Sequence, residues 1–141
     1  MSSIDEILFE YDWKVRSENL NFNFRIIEEK IGFELPQDYR AYSIRYTENE
    51  GIIGNEFLRL WDLEDLIDFN IEYEITNNLY STIAIGDNGS SEFIGVQFIN
   101  ENNYQIILSP FIDLNSEYNI IIGTSFSDFI KRLHEGKEWF I

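Results

Sequence analysis

The apolar positions of this chain change period several times, and each change marks an element. The clearest case is residues 83–98, I-A-I-G-D-N-G-S-S-E-F-I-G-V-Q-F. Ile94, Val96 and Phe98 alternate with Phe93, Gly95 and Gln97, the period of a strand. Asp87-Asn88-Gly89 supplies residues that tolerate positive φ, with Gly86 just before them. The stretch predicts two strands, 82–86 and 92–99, joined by a turn.

Upstream the period is helical. Ile4, Ile7, Leu8, Tyr11 and Val15 share a face and predict a helix from Ser2 to about Glu18, capped by Ser2 or Ser3. A short polar break at 19–23 follows. Phe24, Ile27 and Ile31 form a second stripe, with Asn23 as N-cap and Gly32 as the left-handed stop. Leu35-Pro36 opens a third helix, docked through Tyr39, Tyr42, Ser43 and Tyr46 and ending in the polar run Thr47 to Gly51.

Leu58 and Leu60 predict a strand over 57–61. Asp62 would cap a short helix with Leu63, Leu66 and Ile67 inward and Glu64, Asp65 and Asp68 outward. Residues 69–81 read mostly as loop, with a short extended piece at 71–75. After the central pair, Glu101-Asn102-Asn103 makes another turn, and Tyr104, Ile106 and Leu108 alternate as a strand ending before Pro110. Asn115 to Tyr118 is a loop and Asn119 to Ile122 a brief apolar run. Ser125-x-x-Asp128 resembles a capping box. It opens a last helix with Phe126, Phe129, Ile130 and Leu133 inward. Gly136 ends that helix, and residues 139–141 are expected to fold back onto the core. The sum is an α+β fold: a twisted antiparallel meander with helices packed mainly on one face.

Composition narrows the chemistry. The 141 residues suit one domain, and 44% hydrophobic content supports a real core. With no cysteine there are no disulfides, thiolate nucleophiles or zinc-thiolate sites. The acidic start lacks a secretory signal, and no stretch is long enough to span a bilayer, so a cytoplasmic protein is expected.

The net charge is −16, which disfavours nucleic acid and anionic membranes as partners. Arg59 is the last base before Lys131, and residues 60–130 hold 12 acids and no base. Self-repulsion on this scale opposes folding. Solubility is the plain explanation; the sharper one is a surface kept acidic for a basic partner.

No catalytic constellation stands out, and no cofactor or metal is expected. His134 is the lone histidine, and near a helix C-terminus it suits the dipole. The Asp87-Asn88-Gly89 turn lacks the regular oxygen spacing and closing Glu of a calcium loop. Asp62 with Asp65, or Glu72 with Glu74, would serve as acid–base pairs, but carboxylates are so abundant that such pairs arise by chance. Trp61 reads as core first and as an interface anchor second.

The order of motifs resembles the SUKH superfamily, the Smi/Knr-like proteins. The matching stretches are E-E-K-I-G-F-E-L-P-Q-D-Y-R-A-Y at 28–42 with Gly51, L-R-L-W-D-L-E-D-L at 58–66, the 83–98 stretch, and T-S-F-S-D-F-I at 124–130. T-E-N-E-G at 47–51 departs from the commoner N-G-G. The resemblance covers about 24–134 as the family core, with 1–20 as an N-terminal helical extension. It implies an α+β fold with no catalytic residues. It further implies an immunity protein that binds and neutralises a cognate polymorphic or contact-dependent toxin domain, often a nuclease. The alternative is a regulatory protein–protein interaction module of the cell-wall-regulator type; a small hydrolase is a third option. Nuclease domains tend to be basic, so the acids expected at the contact are Glu48, Glu50, Glu56, Asp62, Glu64, Asp65, Asp68, Glu72, Glu74, Asp87 and Glu92. Trp61 or Tyr73 would be its anchor, and the protein itself a monomer or weak dimer.

Overall fold

Six strands form one antiparallel sheet in simple meander order, curled into a half-barrel with six helices around it. The computed structural model describes residues 3–20 and 22–140. The helices are α1 (Ser3–Glu10), α2 (Phe24–Ile31), α3 (Gln37–Arg45), α4 (Leu66–Glu72), α5 (Ile75–Asn78) and α6 (Phe126–His134). The strands are β1 (Asn49–Ile53), β2 (Glu56–Leu60), β3 (Thr82–Asp87), β4 (Glu92–Asn100), β5 (Asn103–Pro110) and β6 (Ile120–Gly123).

The α+β meander matches the expected fold class. The central pair forms as the sequence predicts, with Ile83 opposite Val96 and Asp87 opposite Phe93. Gly86 is required by a close approach: a Cβ there would lie 2.2 Å from the Arg59 carbonyl oxygen. The helix ends also follow local chemistry. Asn23 Oδ1 accepts the Arg25 N–H, and Gly32 takes the left-handed conformation at φ 84°. Ser125 Oγ accepts the Asp128 N–H at 3.0 Å. The Asp128 carboxylate accepts from the Thr124 N–H instead of closing the box onto Ser125.

Four expectations are corrected. The first helix stops at Glu10 rather than Glu18, because Asp12 turns left-handed (φ 60°) and Trp13 swings inward. Its indole N–H donates to Tyr42 Oη at 2.9 Å, and burial of that ring outweighs continuation of the helical stripe. Val15 then leaves the core, exposed, and forms a bridge with Tyr46. Second, the polar run after α3 becomes β1. Asn49 is buried and its side-chain amide exchanges hydrogen bonds with the Lys14 backbone, satisfying the polar group that hid the strand. Third, residues 71–75 are not extended: α4 continues to Glu72 and α5 follows. Fourth, Ser116–Tyr118 is a 3-10 turn rather than an open loop, capped by the Asn115 side chain. Ser2 and residue 141, named above, lie outside the described residues.

Asn70 explains how helices interrupt a meander. The pairing of the β2 segment with β3 ends at the bond from the Trp61 N–H to the Ile85 carbonyl (2.9 Å). There the buried Asn70 side chain donates to the Ala84 carbonyl (2.9 Å) and accepts the Ala84 N–H (2.8 Å). It replaces a strand at an otherwise open edge, so α4 is held in the gap.

The helix α6 lies against β5 and β6, with Phe126, Phe129, Ile130 and Leu133 all buried, as expected. α1 and α3 pack on it. The α3 tyrosines meet it directly: Tyr39 stands edge-on to Phe126 with ring centroids 5.3 Å apart. Asp38 accepts the Ser127 N–H at 2.8 Å, tying the two helix N-termini together. Trp139 folds back as expected, stacked on Phe129, while Phe140 is exposed.

Candidate partner-binding surface

The end of the sheet where β2 meets β3 is built on two arginine–aspartate locks. Arg59 lies opposite Asp87 in register. Asp87 Oδ1 accepts from the Gly89 N–H (2.8 Å) and from Arg59 Nη1 (3.1 Å), while Oδ2 accepts the Trp61 indole N–H (2.9 Å). Arg59 also reaches Glu50 and covers the Phe57 ring. Burial works against the charge of Arg59, but Asp87 and Glu50 more than compensate and raise its pKa.

The second lock is Asp62 with Arg16, through two hydrogen bonds of 3.1 Å. The Thr47 hydroxyl and the Glu64 N–H add to it. Burial alone would raise the Asp62 pKa; the hydrogen bonds from Arg16 and Glu64 N–H outweigh it and hold the carboxyl below the usual range. Arg16 also donates to the Ser43 carbonyl, and each arginine is paired with at least one carboxylate.

The remaining acids there are different. A 3-10 turn at Leu63–Asp65 leads into α4. Leu63, Leu66 and Asn70 face inward, so helical spacing sends Glu64, Asp65, Asp68 and Glu72 to solvent. None of these four forms an ion pair among the described residues. Glu74 follows in the left-handed conformation (φ 58°), a position that Gly or Asn occupies at less cost. Beside them Tyr73 is 41% exposed and Ile71 is exposed. Tyr73 stacks on Trp61 (6.4 Å) and against Phe111 (4.6 Å), which fixes its ring.

The other predicted positions fall as follows. Glu48 is exposed just before β1, and Glu50 projects from β1 toward Arg59. Glu92 accepts from Asn88 beside the β3–β4 turn. Trp61 is 5% exposed and lies under the surface rather than on it. Glu56 stands apart, at the far end of β2, where it accepts the Trp139 N–H. Sequence reasoning missed Arg16, Arg59 and Phe111. Arg59 becomes legible only once its register with Asp87 is known, and no local signal marks the other two.

Among the described residues no group of three or more His, Cys, Asp or Glu is arranged to hold a metal ion. His134 is engaged with Tyr11 Oη at 3.1 Å. No helix among the described residues is long and apolar enough to cross a membrane.

A curled six-stranded meander with helices packed around it, an Asp-locked turn and an acidic helical face defines a class of small α+β domain. Residues 23–132 match the SMI1 / KNR4 family (SUKH-1), and the chain belongs to that family. Comparison with curated protein sequences gives no match.

Proposed function

We propose that this protein is an immunity protein that binds and neutralises one cognate toxin domain with a basic surface, such as a nuclease. The observation that carries this is the separation of roles among the acids at one end of the sheet. Asp62 and Asp87 are consumed by internal locks, whereas Glu64, Asp65, Asp68 and Glu72 form an exposed, unneutralised row next to the pre-positioned Tyr73. Such a row steers a basic partner into encounter, and an aromatic ring held beside it supplies a desolvated anchor. The binding reading needs no catalysis by the chain, which acts by occupying the toxin.

The test is a survival assay with the toxin domain encoded beside this gene, expressed in a sensitive host with and without the protein, followed by purification of the two together. Rescue with a stable complex, whose association slows steeply as salt rises, is the expected result. Rescue without a complex would move the action to the toxin's target. No rescue, with both proteins folded, would favour a regulatory interaction module.

A further inference from the structure

The two edges of the sheet are defended unequally. β1 carries the exposed Glu50, and Asn49 closes its start onto Lys14. β6 pairs only with β5, and its residues Ile120, Ile121, Ile122 and Gly123 include no charge and no proline. Ile120 and Ile121 are exposed and line a groove of about 380 Å³, whose other walls are apolar at Leu133, Trp139 and Phe140 and charged, of both signs, at Arg132, Lys137 and Glu138. An open, apolar edge strand is a template for another strand, and natural proteins ordinarily blunt it with charge.

Charge identifies what can occupy it. Residues 119–140 hold three acids, Asp128, Glu135 and Glu138, and three bases, Lys131, Arg132 and Lys137. Their net charge is zero, so the whole −16 lies on the rest of the chain. The rest of the chain carries the charge that repels a second copy, whereas this segment carries none on balance. A basic partner drawn to the acidic face gains nothing electrostatically at β6.

We propose that β6 is a self-association edge, where a second copy of this chain pairs its own β6 antiparallel across a two-fold axis. The two half-barrels would then share one twelve-stranded sheet. An isologous contact requires a patch complementary to itself. The run of three isoleucines on an unpaired edge meets that requirement, since each copy offers the same free N–H and C=O groups and the same apolar flank. The proposal does not depend on the toxin reading.

The experiment is sedimentation equilibrium on the full chain over a range of concentrations and salt. The mass should rise from 16.8 kDa toward twice that value. The dimer fraction should increase with added salt, because screening relieves repulsion between the acidic faces. Ile121→Lys should hold the protein at monomer mass, while Ile112→Lys, at an apolar residue 92% exposed elsewhere, should leave association unchanged. Hydrogen exchange on the wild type supplies the measurement that needs no variant: amides of β6 should slow as concentration rises. A monomer at all concentrations and salts, or a dimer that Ile121→Lys leaves intact, would overturn the proposal. So would β6 amides indifferent to concentration.

Discussion

The helices α4 and α6 both pack an inner face on the sheet but carry opposite charge on their outer ones. Each buries apolar side chains against the sheet: Leu66 from α4, and Phe126, Phe129, Ile130 and Leu133 from α6. The helix α6 is charged as its dipole prefers, with Asp128 in the first turn and Lys131, Arg132 and His134 in the last. In α4, Asp68 suits the first turn, but the last turn holds Glu72 and no base, and Glu74 follows immediately. An acid at the negative end of a helix costs about 0.3–1 kcal/mol at an exposed site. α6 is therefore charged for its own stability and α4 against it. Acids that the fold does not need, gathered beside a half-exposed tyrosine, are what a partner-binding face requires.

The same contrast exists within the acidic end, between carboxylates that hold the fold and carboxylates that do not. The largest effect is expected at Asp87. Asp87→Ala strands the Trp61 indole N–H and leaves Arg59 with only Glu50, and it frees the Gly89 N–H. Loss of one partner from a buried charge-assisted network costs about 2–4 kcal/mol. Urea unfolding should show a midpoint lowered accordingly with an unchanged slope. A midpoint within error of wild type would mean that Asp87 belongs with the exposed acids.

Reversing the exposed acids should do the opposite. The triple change Asp65→Lys, Asp68→Lys, Glu72→Lys touches no hydrogen bond or ion pair of the described residues. Unfolding should be unchanged within about 0.5 kcal/mol, as for surface substitutions generally. Association with the cognate toxin domain should slow by about 10-fold or more at low salt and lose most of its salt dependence. Stopped-flow mixing at several ionic strengths checks both. An unaltered on-rate would place the binding face elsewhere.

Acid should remove the contribution of two paired aspartates, Asp62 and Asp128. Asp62 and Asp128 have folded pKa values below those of the unfolded chain, because Arg16 and Glu64 N–H in one case and Thr124 N–H and Arg132 in the other outweigh burial. Their contribution is complete above the ordinary carboxylate range, near pH 4, and is lost as pH falls below it. The urea midpoint should hold level from neutral pH to about pH 5 and drop beneath that. In Asp62→Asn the drop should be shallower, on a lower plateau. A midpoint that rises on acidification would show that relief of the −16 self-repulsion outweighs the contributions of Asp62 and Asp128.

How much of this was legible beforehand depended on where each element draws its support. The β3–β4 hairpin, α2 and α6 are specified locally: alternation, Asn23, Gly32 and the Ser125 cap all lie within the element they shape. β1 and the end of α1 were not, because each is decided by a distant partner. Asn49 looks like a turn residue until Lys14 pairs with its amide, and Trp13 continues a helix until Tyr42 offers its hydroxyl. α4 was cut short because Asn70, a poor helix residue in isolation, gains its bonds from Ala84 in another strand. For the surface, the acidity of the Asp62–Glu74 segment could be read directly. Which of those acids are locked could not, because Arg16 and Arg59 come from elsewhere in the chain.

The smallest effect tests the helix comparison most directly. Glu72→Gln removes a negative charge from the C-terminal turn of α4, where no base answers it. It should raise stability by about 0.5 kcal/mol at low ionic strength, and the gain should shrink with salt. Lys131→Gln removes a positive charge from the last turn of α6 and should lower stability by a similar amount. Paired thermal unfolding at two salt concentrations resolves changes of this size, because 1 kcal/mol moves the midpoint of a chain this long by roughly 2–5 °C. If Glu72→Gln destabilises instead, Glu72 works for the fold, the charge of α4 needs no partner to explain it, and the exposed row shrinks to Glu64, Asp65 and Asp68. If both changes come out as expected, α4 carries its acids at a cost to its own stability, which is what selection for contact with a basic partner predicts.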